Sequence, residues 1–316
     1  MKKLKDGETK PMIDIFIPSY HRADNLKTVN YFKKIGWDAK NIHVFIDSEA
    51  DDRDEYQHMA DKVGFNLFVF EMDEARKRYD YVHRASISRR SAGQARNMFY
   101  DYAKEKGIEF YMVQDDDTNG YEIKKYGKYF RIATLQDIIT TFDNVKELMY
   151  KRRIGLFGIS QTGDFIGGEN KKLFRKKVMN TTFVLTKYIY RGERGVQDND
   201  TSQFVGVMNE GLFTGSYGDG LILKQTPSAK AKGGLTDLYN ECKLLNKSLV
   251  APIQFPSAIH AERQKKNGAR LHHHIKAKYI FPMILKGTKR DNIAWDTYSE
   301  DYPFTNEPKR TNVIKL

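Results

Sequence analysis

From its first apolar run onward the chain alternates two hydrophobic periods, and that alternation most constrains how it can fold. Ile13-Asp14-Ile15-Phe16-Ile17-Pro18 is a β-branched run closed by proline, the pattern of a buried parallel strand. Residues 23–35 then place Leu26, Val29, Phe32 and Ile35 at helical spacing, with Asp24 or Asn25 available as a cap. The pair repeats: His43-Val44-Phe45-Ile46-Asp47 as a strand, residues 52–63 as a helix and residues 66–70 as a third strand. Residues 71–91 are polar and basic without a clear period and read as a long loop. Residues 92–106 predict a helix with Ala95, Phe99, Tyr102 and Ala103 on its apolar face, Gly107 stops it, and residues 109–113 predict the next strand. Strands alternating with helices imply an α/β fold, a sheet that is mostly parallel and flanked by helices.

Beyond residue 120 the pattern is coarser. Residues 134–150, 198–210 and 233–246 read as helices and residues 154–159 and 179–186 as strands. Gly167-Gly168 and the glycines of residues 215–220 read as hairpin connections. With 40% hydrophobic residues among 316, the chain has apolar material for one large domain or two fused ones. We divide it into a nucleotide-binding half, residues 1–120, and an acceptor-binding and catalytic half, residues 121–316, expected to be continuous. No apolar run approaches the ~20 residues that cross a bilayer, so no membrane association and a cytosolic location are expected. The single cysteine, Cys242, has no cysteine or histidine at zinc-ligand spacing and reads as a buried structural thiol.

The net charge is +12, from 53 Lys plus Arg against 41 Asp plus Glu, so polyanions are attracted on average. The cations cluster: around Arg76 to Arg90, including Arg89 and Arg90; at residues 151–153; at Lys171, Lys172, Arg175, Lys176 and Lys177; and across residues 263–278, including Arg270. Most of these clusters lie outside the strand-helix units that would bind a nucleotide, where an acceptor would sit.

The strand at residues 109–113 runs straight into Gln114-Asp115-Asp116-Asp117. Three adjacent carboxylates repel one another, and a divalent cation is the natural compensator; Mg²⁺ and Mn²⁺ take hard oxygen ligands together with substrate phosphates. The alternative is a solvated turn or a helix cap, both common for aspartate. Alternation along a strand would put Asp115 and Asp117 on one side and Asp116 on the other. In open α/β sheets ligands collect beyond the carboxyl ends of the strands, where Asp47 and the triplet both fall.

Ile17-Pro18-Ser19-Tyr20-His21-Arg22, Phe45-Ile46-Asp47-Ser48, Gly93-Gln94-Ala95-Arg96-Asn97 and Val113-Gln114-Asp115-Asp116-Asp117 together resemble the ordered motifs of GT-A glycosyltransferases, particularly the family 2 type, over residues 12–120. The resemblance implies a UDP-sugar donor and a divalent cation, Mn²⁺ or Mg²⁺. It places Pro18, Tyr20 and Arg22 in the nucleotide pocket, Asp47 at the base, Arg96 near the diphosphate, Asp115 near the ribose, with Asp116 beside them. Asp117 becomes the metal ligand, with Asp115 and a late histidine, His260 or one of His272, His273 and His274, completing the shell. In such folds a carboxylate deprotonates the acceptor hydroxyl. Gln197-Asp198-Asn199-Asp200 followed by Phe204 resembles the acidic motif that supplies it, so Asp198 or Asp200 is the expected base, with Glu210 and Asp219 as competitors; Asp198 alternatively reads as a helix cap.

With the triple aspartate, Ser91-Ala92-Gly93-Gln94-Ala95-Arg96-Asn97 is similar to the phage-type DNA-base glycosyltransferases called TET/JBP-associated. That resemblance implies transfer of glucose or arabinose to 5-hydroxymethylcytosine in double-stranded DNA, within a host cytoplasm. It requires cations along the phosphates and extrusion of the modified base. Arg89, Arg90, Lys172, Arg175, Lys176, Lys177, Arg270 and His272 are the expected DNA contacts. A polysaccharide or protein acceptor is the second enzyme reading, and a non-catalytic nucleic-acid-binding protein with this fold is the third.

Overall fold

The β-branched run near the amino end forms β1 (Asp14–Pro18), and the next two predicted strands form β2 (Ile42–Asp47) and β3 (Asn66–Phe70). The strand before the acidic triplet is β4 (Phe110–Gln114). The computed structural model describes residues 12–77, 92–125, 128–161, 177–188, 199–217, 220–224, 248–263, 271–276 and 279–280. β1 lies between β2 and β4, parallel to both, and β3 is parallel to β2. All of β2 and β4 is buried, which is why their sequences are continuously apolar instead of alternating. Successive residues of β1 enter opposite layers: Ile15 and Ile17 join one core, and Phe16 joins the other, stacked on Tyr111 at 4.5 Å between ring centroids.

Three helices connect these strands: α1 (Lys27–Lys34), α2 (Arg53–Val63) and, after the short α3 (Met72–Lys77), α4 (Ala92–Glu105). α1 is shorter than the periodicity of residues 23–35 predicts. Ala23–Asn25 form a separate 3-10 turn, and the backbone N–H of Thr28, in the first helical turn, donates to the carbonyl of Asp116 at 3.1 Å. The helix thus starts where the acidic turn satisfies one of its open donors. α3 corrects the expected loop over residues 71–91. Met72 and Ala75 are buried, Asp73 and Glu74 occupy its first turn, and Arg76 and Lys77 its last, the order that suits the helix dipole. The rest of that loop, including Arg89 and Arg90, lies outside the described residues.

The second half adds a hairpin that no sequence pattern announced, β5 (Tyr121–Lys125) and β6 (Lys128–Ile132). It is followed by α5 (Leu135–Lys151), opened by a capping box between Thr134 and Asp137. Then come β7 (Ile154–Ile159), β8 (Thr181–Leu185), α6 (Asn199–Asn209), β9 (Phe213–Tyr217), β10 (Gly220–Leu223) and the ribbon of β11 (Ile259–Arg263) and β12 (Leu271–Ile275). The main sheet has the order β3-β2-β1-β4-β8-β7-β9, with β8 antiparallel to both of its neighbours and the other ladders parallel. It is therefore mixed and mostly parallel, and strands from both halves of the chain share it. Gly215, expected in a turn, lies inside β9. Gly167, Gly168, Asp219, Cys242 and the helix expected over residues 233–246 fall outside the described residues. No helix among the described residues is long and apolar enough to cross a membrane.

Candidate active site

Register fixes which ends of the elements meet. Pro18, Asp47 and Gln114 terminate parallel strands at one edge of the sheet. Antiparallel β8 begins there, with Thr181 opposite Gln114, and β7 and β9 end there with Ile159 beside Tyr217. Each helix that feeds a strand ending at this edge must begin near it. Hence Arg96 near the start of α4 and Asp200 near the start of α6 sit at this edge, while Glu210 lies past the far end of α6, roughly 15 Å away along the axis. The Nε of Arg153, beside the start of β7, donates to the carbonyl of Gly211 at 2.8 Å, which pins Glu210's neighbourhood to the opposite edge.

The triplet occupies the turn beyond β4, not the strand itself. Its burial still alternates as strand geometry predicts, because the chain leaves the sheet without reversing at once. Asp116 is 6% exposed and points inward, where its Oδ2 accepts from Ser19 Oγ at 2.7 Å and its Oδ1 pairs with the guanidinium of Arg22. Asp115 and Asp117 retain 28% and 21% of their side-chain exposure. Asp115 accepts from Arg96 at 2.5 Å, and Asp117 lies 3.5 Å from Arg22. Burial pushes the Asp116 carboxyl up to about 6, against the opposing pull of Arg22 and Ser19. Asp117 is also raised, first by burial and then by the charge of Asp115, with Arg22 and Lys27 working against it. Arg96 pairs with Asp115 and Arg22 with Asp116, so two arginines only partly compensate three crowded carboxylates, and Asp117 is left with the more distant share of Arg22.

A buried polar scaffold holds this turn. The Gln114 carboxamide donates to Thr118 Oγ1 at 2.5 Å, and its oxygen accepts from Tyr121 Oη at 2.7 Å and Thr181 Oγ1 at 2.6 Å. Thr28 Oγ1 donates to the carbonyl of Asp115 at 2.5 Å and accepts from the N–H of Thr118 at 3.0 Å. Tyr56 closes the inner side, its hydroxyl 2.7 Å from Ser19 Oγ and accepting from the N–H of Arg22 at 3.1 Å. Sequence reasoning missed Ser19, Thr28, Tyr56, Gln114 and Thr118 as site residues. Ser19 and Gln114 stood inside the motifs and Thr118 next to the acids without being singled out, and the partners of Ser19, Thr28 and Tyr56 lie far away in sequence. We expect Gln114→Leu to leave three buried hydroxyls short of a partner and to lower stability by about 3 kcal/mol in urea unfolding; an unchanged midpoint would contradict this scaffold role.

The remaining predicted residues divide between the two edges and beyond. Pro18 is buried, Tyr20 is half-buried with its ring 3.9 Å from that of His21, and buried Asp47 accepts from the N–H of Glu49 at 3.0 Å. His21 adopts a left-handed φ of 53°, a backbone conformation that side chains other than glycine rarely hold, and pairs with Asp51 at 2.9 Å. Asp200 pairs with Lys177 at 2.6 Å, which brings one expected base and one expected DNA contact together. On the β11–β12 ribbon, His260, Glu262 and His274 bring ligand atoms within 4.8 Å of one another. Among the described residues no such group of three includes Asp115 or Asp117. His272 Nδ1 lies 2.6 Å from the carbonyl of His273, whose own ring reaches Thr201 at the start of α6. Asp198, Lys172, Arg175, Lys176 and Arg270 lie outside the described residues.

A mixed sheet with motif-bearing turns and a carboxylate triplet gathered at the carboxyl edge of its parallel strands is the arrangement that the resemblance to GT-A glycosyltransferases implies. The family model for TET-associated glycosyltransferases matches residues 13–234, well over half of the chain, and the protein belongs to that family. Solved structures that it resembles include a mannosyltransferase from Pyrobaculum calidifontis in complex with GDP-Man and Mn²⁺, at 12% identity and a TM-score of 0.45, over 72% of this chain and 62% of that one. The chain thus spans less than two thirds of that protein. Another is glucosyl-3-phosphoglycerate synthase from Mycobacterium tuberculosis in complex with Mn²⁺, UDP and glucosyl-3-phosphoglycerate, at 9% identity and a TM-score of 0.45, over 90% of this chain and 95% of that one. No curated protein sequence matches the chain significantly.

Proposed function

We propose that this enzyme moves a sugar, glucose or arabinose, from a UDP-sugar to the hydroxymethyl group of 5-hydroxymethylcytosine in double-stranded DNA. The observation that carries the donor half is the division of labour in the triplet: Asp116 is engaged inward, while Asp115 and Asp117 keep oxygen atoms towards solvent at the sheet edge. Those two carboxylates fit Mn²⁺ or Mg²⁺, being hard donors whose mutual repulsion a cation relieves. When bound, the cation neutralises charge on the departing diphosphate. Arg96, reaching Asp115, is placed to touch the same diphosphate, and Pro18, Tyr20, Arg22 and Asp47 line the same edge for the nucleotide. The DNA acceptor is supported by the family's TET association and by the +12 charge.

In the transfer, the hydroxymethyl oxygen bonds to the anomeric carbon, the bond from that carbon to the diphosphate breaks, and the hydroxyl proton passes to a carboxylate. Asp200 suits that last role by position, at the donor edge and held by Lys177; Asp198 beside it remains its rival, whereas Glu210 at the far edge does not reach. Residues up to 120 form the donor side and those from 121 the acceptor side of one continuous core.

The test is direct. The full chain is incubated with a panel of UDP-sugars, Mn²⁺ and duplex DNA that carries hydroxymethylcytosine, and the DNA is digested and weighed by mass spectrometry. A hexose or pentose adduct on hydroxymethylcytosine alone is the expected result. Donor hydrolysis without any DNA adduct would point to a saccharide or protein acceptor, and salt-sensitive DNA binding without turnover would reject catalysis.

A further inference from the structure

The outer strand of the small sheet β10-β5-β6 carries an unusual surface. All five residues of β6 are exposed, although alternation along a strand normally buries one face. Tyr129, Phe130 and Ile132 are 59%, 58% and 65% exposed, half of the six large hydrophobic side chains so exposed among the described residues. Soluble proteins blunt outer strands with charge and avoid apolar ones, so a strand of this kind marks an interaction surface.

The hairpin's root is firmly set beside the active site. Tyr121, four residues past Asp117, is buried and bonded to Gln114, and Ile123 is buried next to it in β5. Arg131 makes a two-pronged pair with Asp137 at 2.5 and 2.8 Å, tying β6 to the first turn of α5. The sequence Lys124-Lys125-Tyr126-Gly127-Lys128-Tyr129-Phe130-Arg131 holds four cations and three aromatics; Lys124 is buried beside Glu122 and Arg131 is held by Asp137, whereas Lys128 is exposed next to Tyr129 and Phe130. Aromatic rings interleaved with cations suit nucleic acid, where rings meet bases and cations meet phosphates. A second copy of the chain is the poorer occupant, since edge-to-edge pairing would bring like charges together.

We propose that the β5–β6 hairpin is the element that engages the DNA acceptor, with Tyr129, Phe130 and Ile132 stacking on or wedging between base pairs beside the extruded hydroxymethylcytosine. The inference rests on the DNA-acceptor reading and adds to it a base-extruding element outside the donor site. An inserted apolar side chain offsets the cost of unstacking the step from which the target base leaves.

The experiment uses the full chain and a duplex with one hydroxymethylcytosine flanked by 2-aminopurine, whose fluorescence rises on unstacking. Tyr129→Ala with Phe130→Ala is expected to weaken duplex affinity by about tenfold or more and to lose the fluorescence rise. Binding of UDP with Mn²⁺ should be unchanged, and Phe130→Trp, which keeps a stacking face, should retain both DNA signals. Wild-type affinity and fluorescence in the double alanine variant would overturn the proposal. So would sedimentation showing a wild-type dimer that the double variant converts to monomer. A wild-type protein that glycosylates some other acceptor and binds no DNA would instead overturn the acceptor reading, and this inference with it.

Discussion

Asp117→Ala is expected to lower sugar transfer by about a thousandfold or more and to abolish the Mn²⁺-dependent part of nucleotide-diphosphate binding, while the unfolding free energy stays within about 1 kcal/mol of the wild type. The two halves of that expectation come from different properties of one side chain. Asp117 is partly exposed, and its carboxyl is raised by burial and by its neighbour Asp115, so ionised Asp117 is a strained charge in the free protein. The larger of its two favourable charges, Arg22, is 3.5 Å away and belongs first to Asp116, and Lys27 is the smaller. Removing Asp117 costs the fold little and relieves Asp115. A charge that is poorly compensated at rest is compensated only when a cation and a diphosphate arrive, and that differential interaction is the kind that lowers a barrier. Calorimetry of UDP binding with and without Mn²⁺, beside the transfer assay, checks both halves. Full activity in the variant would remove Asp117 from the donor site, and a collapsed fold would show that the carboxylate has a structural duty the geometry does not reveal.

The fold's first half was legible because its information is local. Ile15, Phe16 and Ile17 declare a strand buried on both faces, and Leu26, Val29 and Phe32 declare the face of the helix beside it, without reference to any distant residue. The acidic turn was legible for the same reason, as polar residues at the end of an apolar strand. What could not be read is who holds the turn. Ser19 and Arg22 reach Asp116 across 97 and 94 positions, and Thr181 reaches Gln114 across 67. Nothing in Gln114 itself announces a hub, since glutamine is more often exposed. The short α3 was missed because six residues offer fewer than two turns of period. The outer strand of the β5–β6 hairpin was missed because a strand exposed on both faces lacks the alternation by which strands are recognised. Asp200, an expected base, and its competitor Glu210 stood on one predicted helix, and only the direction of α6 against β9 puts them at opposite edges.

Arg22→Met separates the inner carboxylate's structural duty from catalysis, and its cost depends on pH in a defined direction. Buried Asp116 has its carboxyl raised from 3.8 to about 6 even with Arg22 beside it. The folded state therefore holds the proton more tightly than the unfolded chain, and ionising Asp116 costs stability as pH rises from about 4 to about 6, on the order of 3 kcal/mol in all. Removing the guanidinium takes away the strongest influence favouring ionisation, so the window extends above pH 6 and the cost grows. At pH 8 the variant leaves a buried carboxylate without its ion-pair partner, and a loss of about 3–5 kcal/mol is expected. At pH 5 the loss should be much smaller, because Asp116 can hold its proton and keep the Ser19 contact. Asp116→Asn should flatten the slope between pH 4 and 6 in the otherwise wild-type chain. Urea unfolding of metal-free protein across pH 4–8 reads all three. An Arg22→Met cost that is the same at pH 5 and pH 8 would mean that Asp116 does not titrate where its burial places it, and that the inner half of the triplet is wetter than its 6% exposure implies.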